Sequence, residues 1–94
     1  MDSEEMFEAI LEEVSRHGGI SRDELLRGRR CRRLRQIAVY LAHQLTRRSL
    51  PQIGQHFGMG HTNVLFSIRV VERDIAIDLN LARTVAELKR KLGG

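Results

Sequence analysis

Ninety-four residues, 41% hydrophobic and 30% charged, describe a single small folded domain spanning residues 1–94 and exclude a disordered chain. No apolar run approaches transmembrane length, the N-terminus is acidic rather than signal-like, and the lone Cys31 cannot form an internal disulfide. The net charge of +4 is unevenly spread: residues 1–20 hold six acids and one arginine, residues 21–48 nine arginines and two acids, and the remainder six basic and four acidic side chains. So basic a central block predicts a polyanionic partner.

In chain order, Asp2 or Ser3 can cap a first helix, with Glu4, Glu5 and Glu8 favourably placed against its positive end. Met6, Phe7, Ile10, Leu11 and Val14 form its apolar stripe, and Gly18–Gly19 stop it. Ser21 to Glu24 is a capping box opening a short helix through Leu25 and Leu26. A basic loop follows, RGRRCRRLRQ from Arg27 to Gln36, with six arginines between Arg27 and Arg35. Arginine suits it to phosphates and to a narrow minor groove. A helix from about Arg32 to Arg47 then buries Leu34, Ile37, Ala38, Leu41, Ala42 and Leu45 as the spine of the domain, with Tyr40 packing at its edge. Arg47 and Arg48 beyond it either touch phosphates or stand as a plain surface pair.

The stretch SLPQIGQHFGMGHTNVLFSIR, Ser49 to Arg69, reads as two helices joined by a tight turn. Ser49 and Gln52 make a capping box, Pro51 is tolerated in the first turn, and Leu50, Ile53 and Phe57 share a face. Gly58 and Gly60, bracketing Met59, are expected to supply the backbone freedom of the turn. His61, Thr62 and Asn63 then open a second helix whose buried stripe is Val64, Leu65, Ile68 and Val71. A helix-turn-helix places such N-terminal side chains against base edges. Thr can offer its methyl to thymine, Asn can pair bidentately with adenine, and His can donate to guanine or phosphate, although His61 and Asn63 could instead cap the helix. The second helix runs to about Ile77. Asp78 or Asn80 restarts a last helix with Leu81, Val85, Leu88 and Leu92, closed by Lys89 to Lys91 and by Gly93–Gly94. The expected fold is all-α, with five to six helices around a helix-turn-helix.

The residues Arg35-Gln36, Leu41 to Thr46 as LxxxLT, Ser49-Leu50, Ile53-Gly54, Phe57-Gly58 and His61-Thr62-x-Val64 resemble, in order, the C-terminal DNA-binding domain of the bacterial replication initiator DnaA. The resemblance implies double-stranded DNA as partner, at an initiator-box-like site, with base contacts from His61, Thr62 and Asn63. It also implies an arginine, Arg29 or Arg30, in the minor groove. Phosphate contacts are expected from Arg35 and Gln36, from His43 where the family has lysine, and from Arg47, Arg48, Ser49 and Arg69. The family's Arg-Asp before His-Thr is replaced here by Met59-Gly60, the following Thr is Asn63, and the Pro of its RPRQ is Leu34. The missing acid removes an acceptor for a cytosine amino group.

His17, His43, His56, His61 and Cys31 lack zinc spacing, so no metal or cofactor is expected. Without a phosphate-cradling glycine loop, nucleophile motif or paired carboxylates, the chain reads as no enzyme, with no small-molecule substrate and no membrane. The expectation is a cytoplasmic, nucleoid-associated DNA-binding protein of replication initiation or its control, without an initiator's ATPase domain. The alternative is an interaction protein that keeps the fold, has lost specific DNA reading, and meets replication-initiation proteins through its surface, for instance through the acidic first helix.

Overall fold

The computed structural model describes residues 2–93. Among them run six α-helices and no strand: α1 (Ser3–Gly18), α2 (Arg22–Arg27), a 3-10 turn (Arg29–Cys31), α3 (Arg32–Leu45), α4 (Leu50–Phe57), α5 (His61–Ile77) and α6 (Leu79–Lys91). The fold is therefore all-α, with α4 and α5 as the helix-turn-helix. The short polar residues between the helices set their starts. Asp2, not Ser3, accepts the Glu5 N–H at 2.8 Å, and Asp78, not Asn80, accepts the Leu81 N–H at 3.1 Å. Ser21 with Glu24 and Ser49 with Gln52 form reciprocal capping boxes. Of the expected stop at Gly93–Gly94, Gly93 takes a left-handed φ of 83° and Gly94 lies outside the described residues.

α3 is the spine, packed against α1, α2, α4, α5 and α6. Because neighbours cover it on several sides, its buried set is wider than one stripe: Val39 joins Ile37, Ala38, Leu41 and Ala42. Leu34 and Leu45, expected inside, are only half-buried because they stand at the helix ends. α3 also stops at Leu45, two residues before Arg47. Thr46 adopts extended backbone and its hydroxyl donates to the Ala42 carbonyl at 2.6 Å, which leaves Arg47 and Arg48 in the linker to α4. Tyr40 packs half-buried against the core, as expected.

Ile53 and Phe57 of α4 and Val64, Ile68 and Val71 of α5 close the core where the two motif helices meet α3. Leu65, expected in that stripe, is half-buried; it lies one helical step round from Val64, and Ser67 is buried in the row instead. The turn also differs from expectation. Gly58 takes the left-handed conformation (φ 64°), but Gly60 is extended (φ −73°, ψ 161°) and exerts no glycine-specific freedom. The second glycine that matters is Gly54, whose carbonyl accepts the Met59 N–H at 3.0 Å. A Cβ on Gly54 would stand 2.2 Å from the Met59 carbonyl oxygen, so the turn folds back onto α4 only where no side chain exists.

Two substitutions test this packing. Phe57→Ala empties a nearly closed site and should cost ~3–5 kcal/mol in denaturant unfolding. Gly54→Ala should cost ~1–3 kcal/mol through overpacking against backbone. An unchanged unfolding midpoint in either variant would contradict the packing described.

Candidate nucleic-acid interface

α5 begins after Gly60, which has no side chain to cap it. The first-turn N–H groups are thus left facing outward at the positive end of the helix. His61, Thr62 and Asn63 are exposed, and none makes a side-chain hydrogen bond among the described residues. The capping role open to His61 and Asn63 is not taken.

A cleft of about 290 Å³ separates this helix start from the beginning of α3. Arg32, Arg35 and Gln36 line one wall; Met59, Asn63, Phe66 and Ser67 line the other. The segment Arg27–Gln36, expected as a loop, is mostly helical: the 3-10 turn carries Arg29 and Arg30, and Arg32 to Gln36 already belong to α3. Arg35 explains how the two parts hold together. Its Nε donates to the Leu25 carbonyl at 2.9 Å and an Nη to the Gly28 carbonyl, stapling the end of α2 and the entry to the 3-10 turn onto α3. A guanidinium has five N–H donors, so three remain for an outside acceptor.

The other arginines divide into two groups. Arg27 pairs with Asp23 at 3.5 Å, and Arg33 reaches Asp74 of α5 at 2.6 Å, where Arg73 also binds at 3.1 Å. By contrast, Arg29, Arg30, Arg32, Arg47, Arg48 and Arg69 are exposed and have no carboxylate partner among the described residues. His43 is exposed on the last turn of α3. Ser49 is engaged in its cap: the hydroxyl accepts the Gln52 N–H and donates to Gln52 Oε1 at 3.1 Å, so a phosphate contact would have to displace that bond.

The acids of α1 are matched mainly within the fold. Glu8 pairs with Arg22, Glu12 and Glu13 with Arg16, and Glu4 meets His56 at 3.2 Å. The His56 ring stacks on Phe7 with centroids 3.8 Å apart, tying α4 to α1. Among the described residues no three His, Cys, Asp or Glu side chains converge on a metal position, and no helix is long and apolar enough to cross a membrane.

Of the residues lining the cleft, Arg32, Ser67 and Phe66 carry no site role in the sequence analysis, and Phe66 is the large apolar one among them. It is 61% exposed, between half-buried Leu65 and buried Ser67. The available signal was its spacing, four residues after Thr62 and three after Asn63, off the 64–68–71 stripe.

A capped helix, a glycine turn and a second helix with an unbonded polar first turn define a helix-turn-helix domain. The family model described as the bacterial dnaA protein helix-turn-helix matches residues 7–71, and the chain belongs to that family. It is 44% identical over 90 residues to the chromosomal replication initiator protein DnaA of Bartonella quintana (strain Toulouse), covering 92% of this chain and 18% of that protein. The same-named protein of Agrobacterium fabrum (strain C58 / ATCC 33970) is 48% identical over 81 residues, 82% of this chain and 17% of its own length. That of Caldanaerobacter subterraneus subsp. tengcongensis is 39% identical over 88 residues, 90% of this chain and 20% of its length. The chain thus spans about a fifth of the relatives it matches.

The Arg33–Asp74 pair, which joins the two walls, has a pH signature. Hydrogen bonds from Arg33 and then Arg73 hold the Asp74 carboxyl below its ordinary value of 3.8. A depressed folded-state pKa adds stability that is full above the unfolded value and is lost as pH falls through the folded one. Asp74→Asn should therefore lower the thermal midpoint at pH 7, with the gap to the unaltered protein closing as pH drops below about 3.8. A gap unchanged by acid would remove the pair from the stabilising set.

Proposed function

We propose that residues 1–94 act as one double-stranded-DNA-binding unit serving chromosomal replication initiation or its control. The observation that carries this reading is the cleft itself. It sets Arg35 and Gln36, aligned with the family's phosphate-contacting pair, opposite Asn63 at the free start of α5. Around it lie arginines that the fold does not neutralise. On this reading α5 enters the major groove with His61, Thr62 and Asn63 at base edges, and Arg29 or Arg30 enters the adjoining minor groove. Arg35, Gln36, His43, Arg47, Arg48 and Arg69 contact phosphates, with Ser49 able to join them by exchanging its cap bond. The names of the relatives support the link to replication initiation. The alternative of a protein-binding module is less well supported, because three of the acids of α1, Glu8, Glu12 and Glu13, already pair with arginines of the chain.

Salt dependence tests this most directly. The logarithm of affinity should fall with log salt at about 0.9 per neutralised phosphate, and Arg47→Ala, which breaks no ion pair among the described residues, should weaken all duplexes alike and lower the slope by about one. A slope near zero in the unaltered protein would leave the protein-binding module.

Selection from random duplexes tests the base contacts. Without the family's acid, the best site should exceed random DNA by less than the factor of ~10³ usual for specific binders. Thr62→Ala together with Asn63→Ala should blur the enriched sequence. Enrichment of a sharp site that the double variant leaves unchanged would assign base reading to other residues.

A further inference from the structure

We infer that Phe66 is a specificity-determining residue that packs on the 5-methyl group of a thymine in the major groove, an inference that rests on the DNA-binding function proposed above. Among the described residues three large apolar side chains are exposed: Phe66, Ile77 and Leu79. Ile77 and Leu79 flank Asp78 at the α5–α6 corner, where nothing indicates what would cover them. Phe66 is differently placed. It lines the cleft with Arg32, Arg35, Gln36 and Asn63, and it makes no aromatic or cation–π contact among the described residues.

Helical spacing puts it one turn beyond the reading residues on their own face, four after Thr62 and three after Asn63. The same face carries unpaired Arg69 three residues further on. A face so basic fits a polyanion, yet an aromatic ring gains nothing from a phosphate. Of the groups that base pairs display in the major groove, donors and acceptors are polar and the thymine methyl is the apolar one. Apolar side chains used as wedges between base steps belong typically to minor-groove binders, and in this chain the minor groove falls to the arginines of the 3-10 turn. A ring held beside Asn63 therefore complements an A·T pair: the amide serves adenine and the ring serves the neighbouring thymine.

The probe is a duplex bearing the sequence this protein enriches from a random pool, with copies in which each thymine in turn is replaced by deoxyuridine. That exchange deletes the methyl and leaves every hydrogen-bonding group in place. At one position the unaltered protein should lose about three- to fourfold in affinity, the worth of one buried methyl. At that position Phe66→Ala should bind the thymine and deoxyuridine duplexes alike, with an unchanged salt slope, whereas Thr62→Ala should keep the discrimination there. Because Phe66 is exposed, its removal should leave the thermal midpoint near that of the unaltered protein, and the deoxyuridine series on the unaltered protein needs no variant at all.

Indifference of the unaltered protein to every exchange would overturn the inference while leaving DNA binding intact. So would enrichment of no sequence or of one lacking thymine, survival of the discrimination in Phe66→Ala, or its loss in Thr62→Ala instead. Absence of salt-sensitive duplex binding by the unaltered protein would remove the inference together with the function on which it rests.

Discussion

The Met59 N–H donates to the Gly54 carbonyl across 3.0 Å, and this return of the chain onto its own helix fixes where α5 starts. It requires that residue 54 have no side chain, since a methyl there would overlap the Met59 carbonyl oxygen. It also requires the left-handed backbone at Gly58, which a side chain would strain. Given both, Val64 drops into the core against Gly54, and the first turn of α5 is presented against the start of α3. The site is in this sense a by-product of a tight turn. Arg35 is held there by its bonds to the Leu25 and Gly28 carbonyls, while His61, Thr62 and Asn63 are placed by the backbone at the start of α5.

A second constraint is electrostatic. A domain with nine arginines in residues 21–48 would repel itself if all of them stood free. The fold uses some of them as struts: Arg22 across to α1, Arg33 across to α5, and Arg35 into the carbonyls of Leu25 and Gly28. Exposed ion pairs are individually worth little, so their main effect is geometric. They fix the directions of α2, the 3-10 turn and α5 relative to α3. The charges left over, Arg29, Arg30, Arg32, Arg47 and Arg48, stand on the 3-10 turn, the start of α3 and the linker after it. On α1 the five glutamates outnumber the arginines that meet them, Arg16 on the helix itself and Arg22 from α2, so this face stays acidic.

The fold was legible because local signals agreed with one another. Capping residues, glycine stops and apolar spacing all marked the same boundaries, and the resemblance of the motif segment added its order. What was missed depended on more than one element at a time. Val39 is buried because α3 is covered on several sides, and no single-helix period reveals that. Leu65 gives way to Ser67 because a stripe is defined by the helix it meets. Gly54 looked like an ordinary family glycine, while its function depends on a carbonyl five residues away. The position of His61 to Asn63 in the first turn of a helix was readable from its place after the glycines. Arg35 was marked as a phosphate ligand, but its internal bonds to Leu25 and Gly28 involve a partner segment ten and seven residues back. Phe66 was hidden by its chemistry, since an aromatic residue beside a buried stripe is naturally assigned to the core.

On the reading proposed here, the replacement of Arg-Asp by Met59-Gly60 would change the chemistry of base reading, and the other residues of the face would lean the same way. A carboxylate in the groove accepts from a cytosine amino group; none of His61, Thr62, Asn63 and Phe66 can carry a negative charge. Asn63 complements adenine, and Thr62 and Phe66 carry the apolar carbon that a thymine methyl would meet. An arginine from the 3-10 turn would add a preference for narrow minor grooves, which A·T-rich tracts supply. Both grooves would then favour A·T pairs, one through chemistry and the other through shape. His61 would remain as the residue able to donate to guanine, so any G·C requirement would fall on the first, exposed position of α5.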